Sequence, residues 1–144
     1  MSDTRVVDFL DAFRRLDIDH LGLLDRIYHP DVLFIDPFHR LQGLQRLHEY
    51  FAGLYANINH CHFKFETPRS CGDEAFLRWQ MDFSHPRLRS GREVSVPGIS
   101  HVRFAGAENR VVFHEDFYDA GALLYEHIPV LGSAVRFLKR RMSA

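Results

Sequence analysis

The sequence predicts an α+β domain: a curved, largely antiparallel sheet with helices gathered on one side, so that sheet and helices together enclose a cone. Three observations carry this. Apolar residues recur at three- and four-residue steps up to residue 58, and from residue 60 the period drops to two over successive runs joined by short turns. Nothing resembling a repeat or a Pro/Gly/Ser linker interrupts the 144 residues, so one domain is expected over 1–144, with a core cone at 1–119 and a helical tail at 120–144.

Residues 4 to 16 place Val6, Phe9, Leu10 and Phe13 on one helical face, with Ser2 or Asp3 available as N-cap. Asp17 and Asp19 can cap a second helix carrying Leu21, Leu24, Ile27 and Tyr28, which Pro30 is expected to stop. Val32–Ile35 reads as a short strand that ends at Asp36-Pro37, where proline has no N–H to give a ladder. After Gly43, the stripe Leu44, Leu47, Tyr50 or Phe51, Leu54 and Ile58 predicts a third helix that needs a sheet to cover.

Cys61, Phe63 and Phe65 then alternate with polar residues, as do Leu77, Trp79, Met81 and Phe83, with a Gly72-Asp73 turn between the two runs. A third run puts Val94, Val96, Ser100, Val102 and Phe104 on one parity and is expected to bend or bulge at Pro97-Gly98. A fourth, Val111 to Tyr118, aligns Val112, His114, Asp116 and Tyr118. The tail reads as helical from Ala120 to His127, broken at Pro129, then helical again through Leu131, Val135 and Leu138. There Lys139-Arg140-Arg141 suit the negative end of the helix dipole.

Composition narrows the function classes. Eighteen basic and nineteen acidic side chains give a net charge of −1, which supplies no global positive field for a phosphate backbone, so no nucleic-acid partner is expected. No apolar stretch is long enough to span a bilayer and no signal-peptide pattern opens the chain; the expected location is cytoplasmic, with no membrane partner. Cys61 and Cys71 are read as reduced thiols. A domain of this length buries roughly 68–70% of its unfolded surface and needs neither metal nor disulfide to fold. His60 and His62 share a strand face but lack a third ligand of suitable spacing, so no metal is expected. With no P-loop, dinucleotide fingerprint or nucleophile elbow, no cofactor is expected either. Thirteen Phe, five Tyr and one Trp can fill a core or line an apolar cavity.

Tyr28-His29-Pro30-Asp31, Phe34-Ile35-Asp36-Pro37, Gly43, His48-Glu49-Tyr50-Phe51 and Ile99-Ser100-His101-Val102-Arg103-Phe104 resemble the nuclear transport factor 2-like superfamily, in particular its SnoaL-like and ketosteroid-isomerase-like branches, over about residues 5–119. The resemblance implies a conical α+β fold, a small apolar ligand and a homodimer. It also implies that Asp36 matches the proton-shuttling aspartate of the isomerases. Ser100 stands where those enzymes carry a protonated acid, and Ala12 or Phe13 where they carry a phenol, so steroid isomerisation of the usual kind is disfavoured. In the limonene-epoxide-hydrolase-like branch two aspartates and an arginine act together. Asp116 matches one aspartate, and the remaining pair falls near Asp82 and Gln80 or near Gln80 and Arg78, so either register leaves a member missing.

The site implied is Asp36 as base, Asp116 with His114 as a second acid/base group, and Tyr50 or Ser100 as hydrogen-bond donor. Trp79, Phe83, Val102, Phe104, Tyr118 and Phe34 complete a ligand-binding wall, to which Met81 also contributes. Each has a plain structural reading beside it. Asp36 can be a strand-end turn residue, Asp116 a buried polar partner of His114, His101 or Arg103, and the aromatics ordinary core. His29, His39 and His85 adjoin turns and read as solvent-facing, with His39 able to reach a pocket mouth beside Asp36. The dimer is expected to cover the sheet's second face, where Phe63, Phe65, Val111, Phe113 or Phe117 can lie. Two functions follow: cofactor-independent proton transfer of isomerase, cyclase or hydrolase type on a small apolar ligand, or a non-catalytic ligand-binding or dimerisation module of the same fold.

Overall fold

The computed structural model describes residues 3–58, 60–86, 91–123 and 129–143, and the side chains of all of these except 122, 123, 129–133 and 135. Helix α1 (Thr4–Arg15) starts where the Asp3 carboxylate accepts a hydrogen bond from the Arg5 N–H at 3.0 Å, and it buries Val6, Phe9, Leu10 and Phe13. The expected second helix shrinks to a 3₁₀ turn (Leu21–Leu23) and one α-turn, α2 (Leu24–Ile27). Tyr28, taken as its last apolar residue, instead opens strand β1 (Tyr28–Ile35).

Pro30 therefore lies inside a strand and not at a helix end. It is tolerated because the ladder to the neighbouring strand skips between Tyr28 and Leu33, where no N–H from position 30 is called for. β1 turns at Asp36–His39 into a short strand the sequence did not signal, β2 (Arg40–Gln42). Gly43 then adopts φ +97°, a conformation open to glycine, and donates its N–H to the Val32 carbonyl at 2.7 Å, launching α3 (Leu44–Asn57) back across the sheet.

The remaining strands are β3 (His60–Phe65), a second unforeseen short strand β4 (Arg69–Cys71), β5 (Glu74–Ser84), β6 (Glu93–Phe104) and β7 (Val111–Tyr118). The sheet order is β2-β1-β7-β6-β5-β3, with β4 pairing β5. All pairs are antiparallel except β1 with β7, which makes the sheet mixed. The parallel pair brings the N-terminal strand beside the last one within an open, curled sheet.

Two details set which side chains face inward. No bulge interrupts β6 at Pro97-Gly98 on the β5 side: β5 and β6 stay in register from Glu74↔Arg103 to Ser84↔Glu93. The irregularity lies in β7, where Arg103↔Phe113 gives way to Phe104↔Val111 and one extra residue is inserted at Val112. This bulge shifts the alternation, so Val111 and His114 are both buried although their numbers differ in parity. Phe63 and Phe65, on the inner face of β3, also pack inside the cone, and only Phe113 and Phe117 of the residues expected on the second face lie there, beside Phe76 and His101. The tail forms α4 (Ala120–Leu123) and α5 (Pro129–Ser143), with Pro129 as the first residue of α5. The reading of helix through His127 falls on residues 124–128, outside the described ones.

Candidate active site

Between α1, α3 and the concave sheet face lies a cavity of about 110 Å³ whose walls are mostly aromatic. Asp36, Asp116, His114, Tyr50, Trp79, Phe83, Ser100, Tyr118 and Phe34 all border it. Val102 and Phe104 do not. Val102 pairs with Ala75 and His114 and is fully buried, and Phe104 sits under the Arg5 guanidinium, so both belong to the packed core. Phe63 and Phe65, expected outside, line the cavity instead.

One wall carries a continuous chain of hydrogen bonds. Strand register places Ser100 directly beside Asp116, and the Ser100 hydroxyl donates to Asp116 Oδ1 at 2.5 Å. The indole N–H of Trp79 donates to Ser100 Oγ at 2.8 Å. His114 Nε2 meets the same Oδ1 at 2.6 Å, and His114 Nδ1 meets the Tyr28 hydroxyl at 2.7 Å. An ionised Asp116 only accepts, so Nε2 carries the proton and Nδ1 accepts from Tyr28. Burial, with the charge of Asp116 nearby, keeps the Tyr28 phenol well above its ordinary range, which suits a donor. Asp116 Oδ2 receives no hydrogen bond from the described residues, leaving one carboxylate oxygen uncommitted on a cavity wall.

Asp36 is held differently. Its Oδ1 accepts the backbone N–H groups of Phe38 at 2.8 Å and His39 at 2.7 Å, and the His39 ring lies 3.1 Å away; its Oδ2 accepts the Tyr50 hydroxyl at 2.9 Å. Both oxygens are thus engaged, and the side chain is 1% exposed. The turn geometry follows from sequence: Pro37 presets the corner and Asp36 caps its N–H groups. His39 reaches Asp36 while remaining 42% exposed, so it sits at the rim.

These bonds decide which donors a ligand can use. Tyr50 has one O–H and gives it to Asp36; Ser100 gives its own to Asp116; Trp79 gives its N–H to Ser100. The expectation that Tyr50 or Ser100 offers a free donor is therefore corrected. Tyr118 is the exception: it borders the cavity and its hydroxyl bonds to no described residue. Burial first, then the charges of Asp36 and Asp116, raise its phenol above the ordinary value, so it stays protonated. Burial also pushes the Cys61 thiol up to about 12, which makes it a poor nucleophile.

Tyr28 had no place in the expected site. Read as a helix residue, it carried no signal that its hydroxyl would meet a histidine on the last strand. The epoxide-hydrolase arrangement is not assembled, because Asp82, Gln80 and Arg78 lie on the opposite face of β5 from Trp79, where Asp82 binds Ser95, Gln80 and Lys64. Among the described residues no group of three potential ligands is arranged for a metal; His60 pairs with Glu93 at 2.8 Å, and His29 with Glu108 at 3.1 Å.

Residues 6–114 match the model of the SnoaL-like domain. No curated protein matches the sequence. Among solved structures, a candidate SnoaL-like polyketide cyclase from Jannaschia sp. CCS1 superimposes with a TM-score of 0.73 at 15% identity, covering 88% of this chain and 92% of that one. A nuclear transport factor 2-like protein of unknown function from Burkholderia pseudomallei gives 0.73 at 17% identity, covering 86% and 96%. A hypothetical protein with a ketosteroid isomerase-like fold from Catenulispora acidiphila, solved in complex with trimethylamine, gives 0.70 at 17% identity, covering 86% and 92%. At such identities the likeness is one of fold. The family itself follows from the match over most of the cone: the chain belongs to the SnoaL-like domain family.

Proposed function

We propose that the protein catalyses cofactor-independent proton transfer next to a carbonyl of a small apolar ligand, with Asp116 as the base. The observation that carries this is the asymmetry of Asp116: Oδ1 is fixed by Ser100 and His114 while Oδ2 is uncommitted. Oδ2 takes the proton from the carbon, the C–H pair becomes the C=C bond of the enolate, and the carbonyl π pair moves onto the oxygen, which accepts a hydrogen bond from the Tyr118 O–H. Asp116 then returns the proton to the same or a conjugated carbon. His114, itself held by Tyr28, orients Asp116 and does not move its own proton. Asp36 holds the turn, Tyr50 and His39 in place.

The cavity limits the ligand. An apolar cavity of ~150 Å³ accommodates benzene, so a space of about 110 Å³ takes a group somewhat smaller than a whole six-membered ring, such as the carbonyl end of a cyclic ketone. Trp79 is the only tryptophan and stands in the wall, so its fluorescence reports binding. Titration with cyclohexanone, cyclohexenone and styrene oxide should give saturable quenching by the ketones, weakened in Tyr118→Phe. No response to any of the three overturns the site.

Ligand binding without turnover is the second reading. Its support is that the cavity donors on Trp79, Ser100, Tyr50 and His114 are already committed within the protein.

We also infer a homodimer built on the outer sheet face. There Phe76 stacks on His101 at 4.6 Å and Arg103 lies 4.6 Å from the Phe113 ring, while Phe76 and Phe117 stay exposed. Sedimentation at micromolar concentration should give a dimer that Phe76→Ser with Phe117→Ser dissociates; a wild-type monomer contradicts it.

A further inference from the structure

We propose that helix α5 docks on an anionic lipid surface. Residues 129–144 carry Arg136, Lys139, Arg140 and Arg141 and no acidic residue, while residues 1–128 carry 14 basic and 19 acidic side chains. The near-zero total therefore conceals a net +4 on one helix and −5 on the remainder. The helix dipole accounts for basic residues in the last turn. It does not account for what stands beside them: Phe137, Leu138 and Met142 are 53%, 58% and 86% exposed.

The arrangement around the helix is ordered. At 3.6 residues per turn, Phe137, Leu138 and Met142 form one arc with Ala134, and Lys139 and Arg140 stand just beyond its two edges. Arg141 falls within the arc, its guanidinium 5.9 Å from the Phe137 ring. Lys139 is tied to the body of the protein through Asp119 at 2.8 Å, which leaves the arc facing out.

An apolar arc edged by cations, on a helix free of carboxylates, complements a surface that is anionic at its face and hydrocarbon just beneath. The apolar side chains enter the acyl boundary, and the basic stems lie along it with their heads at the phosphates. No described helix is long and apolar enough to cross a membrane, so the mode is interfacial. A protein partner would have to supply both an apolar groove and acidic rims, whereas the outer sheet face of a second copy, where Phe76 and Phe117 are exposed, mixes Glu74 and Glu115 with Arg78 and Arg103.

The test is co-sedimentation of the full chain with vesicles of phosphatidylcholine containing phosphatidylglycerol, against phosphatidylcholine alone, at low and high salt. Binding to the anionic vesicles, released by salt, is expected. It should fall at least about tenfold both in Arg140→Glu with Arg141→Glu and in Leu138→Ser with Met142→Ser, with Trp79 fluorescence and the unfolding temperature unchanged. The proposal is overturned by no binding to the anionic vesicles, by equal binding to both vesicle types, or by variants that bind as well as wild type. Loss of a soluble oligomer in the apolar variant without vesicles also overturns it, because a second copy then covers the arc.

Discussion

Tyr28 and His114 stand 86 positions apart and share a hydrogen bond of 2.7 Å between the phenol and Nδ1, with their rings stacked at a centroid separation of 5.8 Å. Both are among the most deeply buried side chains, 0% and 2% exposed. The pair joins the first strand of the parallel ladder to the last and fixes the imidazole that orients Asp116.

Tyr28→Phe removes the donor and leaves Nδ1 of a buried histidine without a partner. A loss of about 1–3 kcal/mol is expected from urea unfolding. A variant as stable as wild type would mean that the imidazole finds another partner or that the bond does not form.

Gly98 pairs with Trp79 on one side and Tyr118 on the other, and a Cβ there would overlap three indole ring atoms. Gly98→Ala should therefore displace the indole from Ser100, shift Trp79 fluorescence and cost about 1–3 kcal/mol. Gly53 is the control: it lies in α3, and an added Cβ meets nothing within 4 Å. Gly53→Ala should stabilise by about 0.5–1 kcal/mol. Equal effects of the two substitutions would remove the packing account of Gly98.

Asp82 has a lowered pKa, about 2 against the ordinary 3.8, chiefly because the Ser95 hydroxyl donates to it, with Gln80 and Lys64 adding to the effect. A carboxylate depressed in the folded state adds stability above its unfolded pKa and loses it as pH falls through the folded value. That contribution is present above pH 3.8 and is lost as pH falls through about 2. Ser95→Ala should move the acid unfolding midpoint, followed by near-ultraviolet circular dichroism, to higher pH. An unmoved midpoint would show that Ser95 is not the main cause.

The helical stripes of α1 and α3 and the two-residue alternation of β5 and β6 were legible because each element buries one face against a single partner layer. The start of β1 was not: Tyr28 continues the stripe of Leu24 and Ile27, and only the parallel partner β7, far along the chain, makes it a strand. The bulge at Val112 was equally silent, and it decides that Val111 and His114 face inward together. Within the site, strand ends and parity put Asp36 at a turn and His114 and Asp116 on one face of a strand, and only the family resemblance pointed that face toward a cavity. The hydrogen-bond directions could not be read, since Tyr50 and Ser100 lose their free donors to carboxylates from other elements.

Deuterium incorporation at the α-carbon of cyclohexanone in heavy water, followed by proton NMR, compares wild type with Asp116→Asn and Asp36→Asn at a temperature where all three are folded. Wild type should accelerate exchange over buffer, Asp116→Asn should lose about a hundredfold or more of that acceleration, and Asp36→Asn should retain most of it. Exchange as fast in Asp116→Asn as in wild type, or wild type no faster than buffer, contradicts Asp116 as the base.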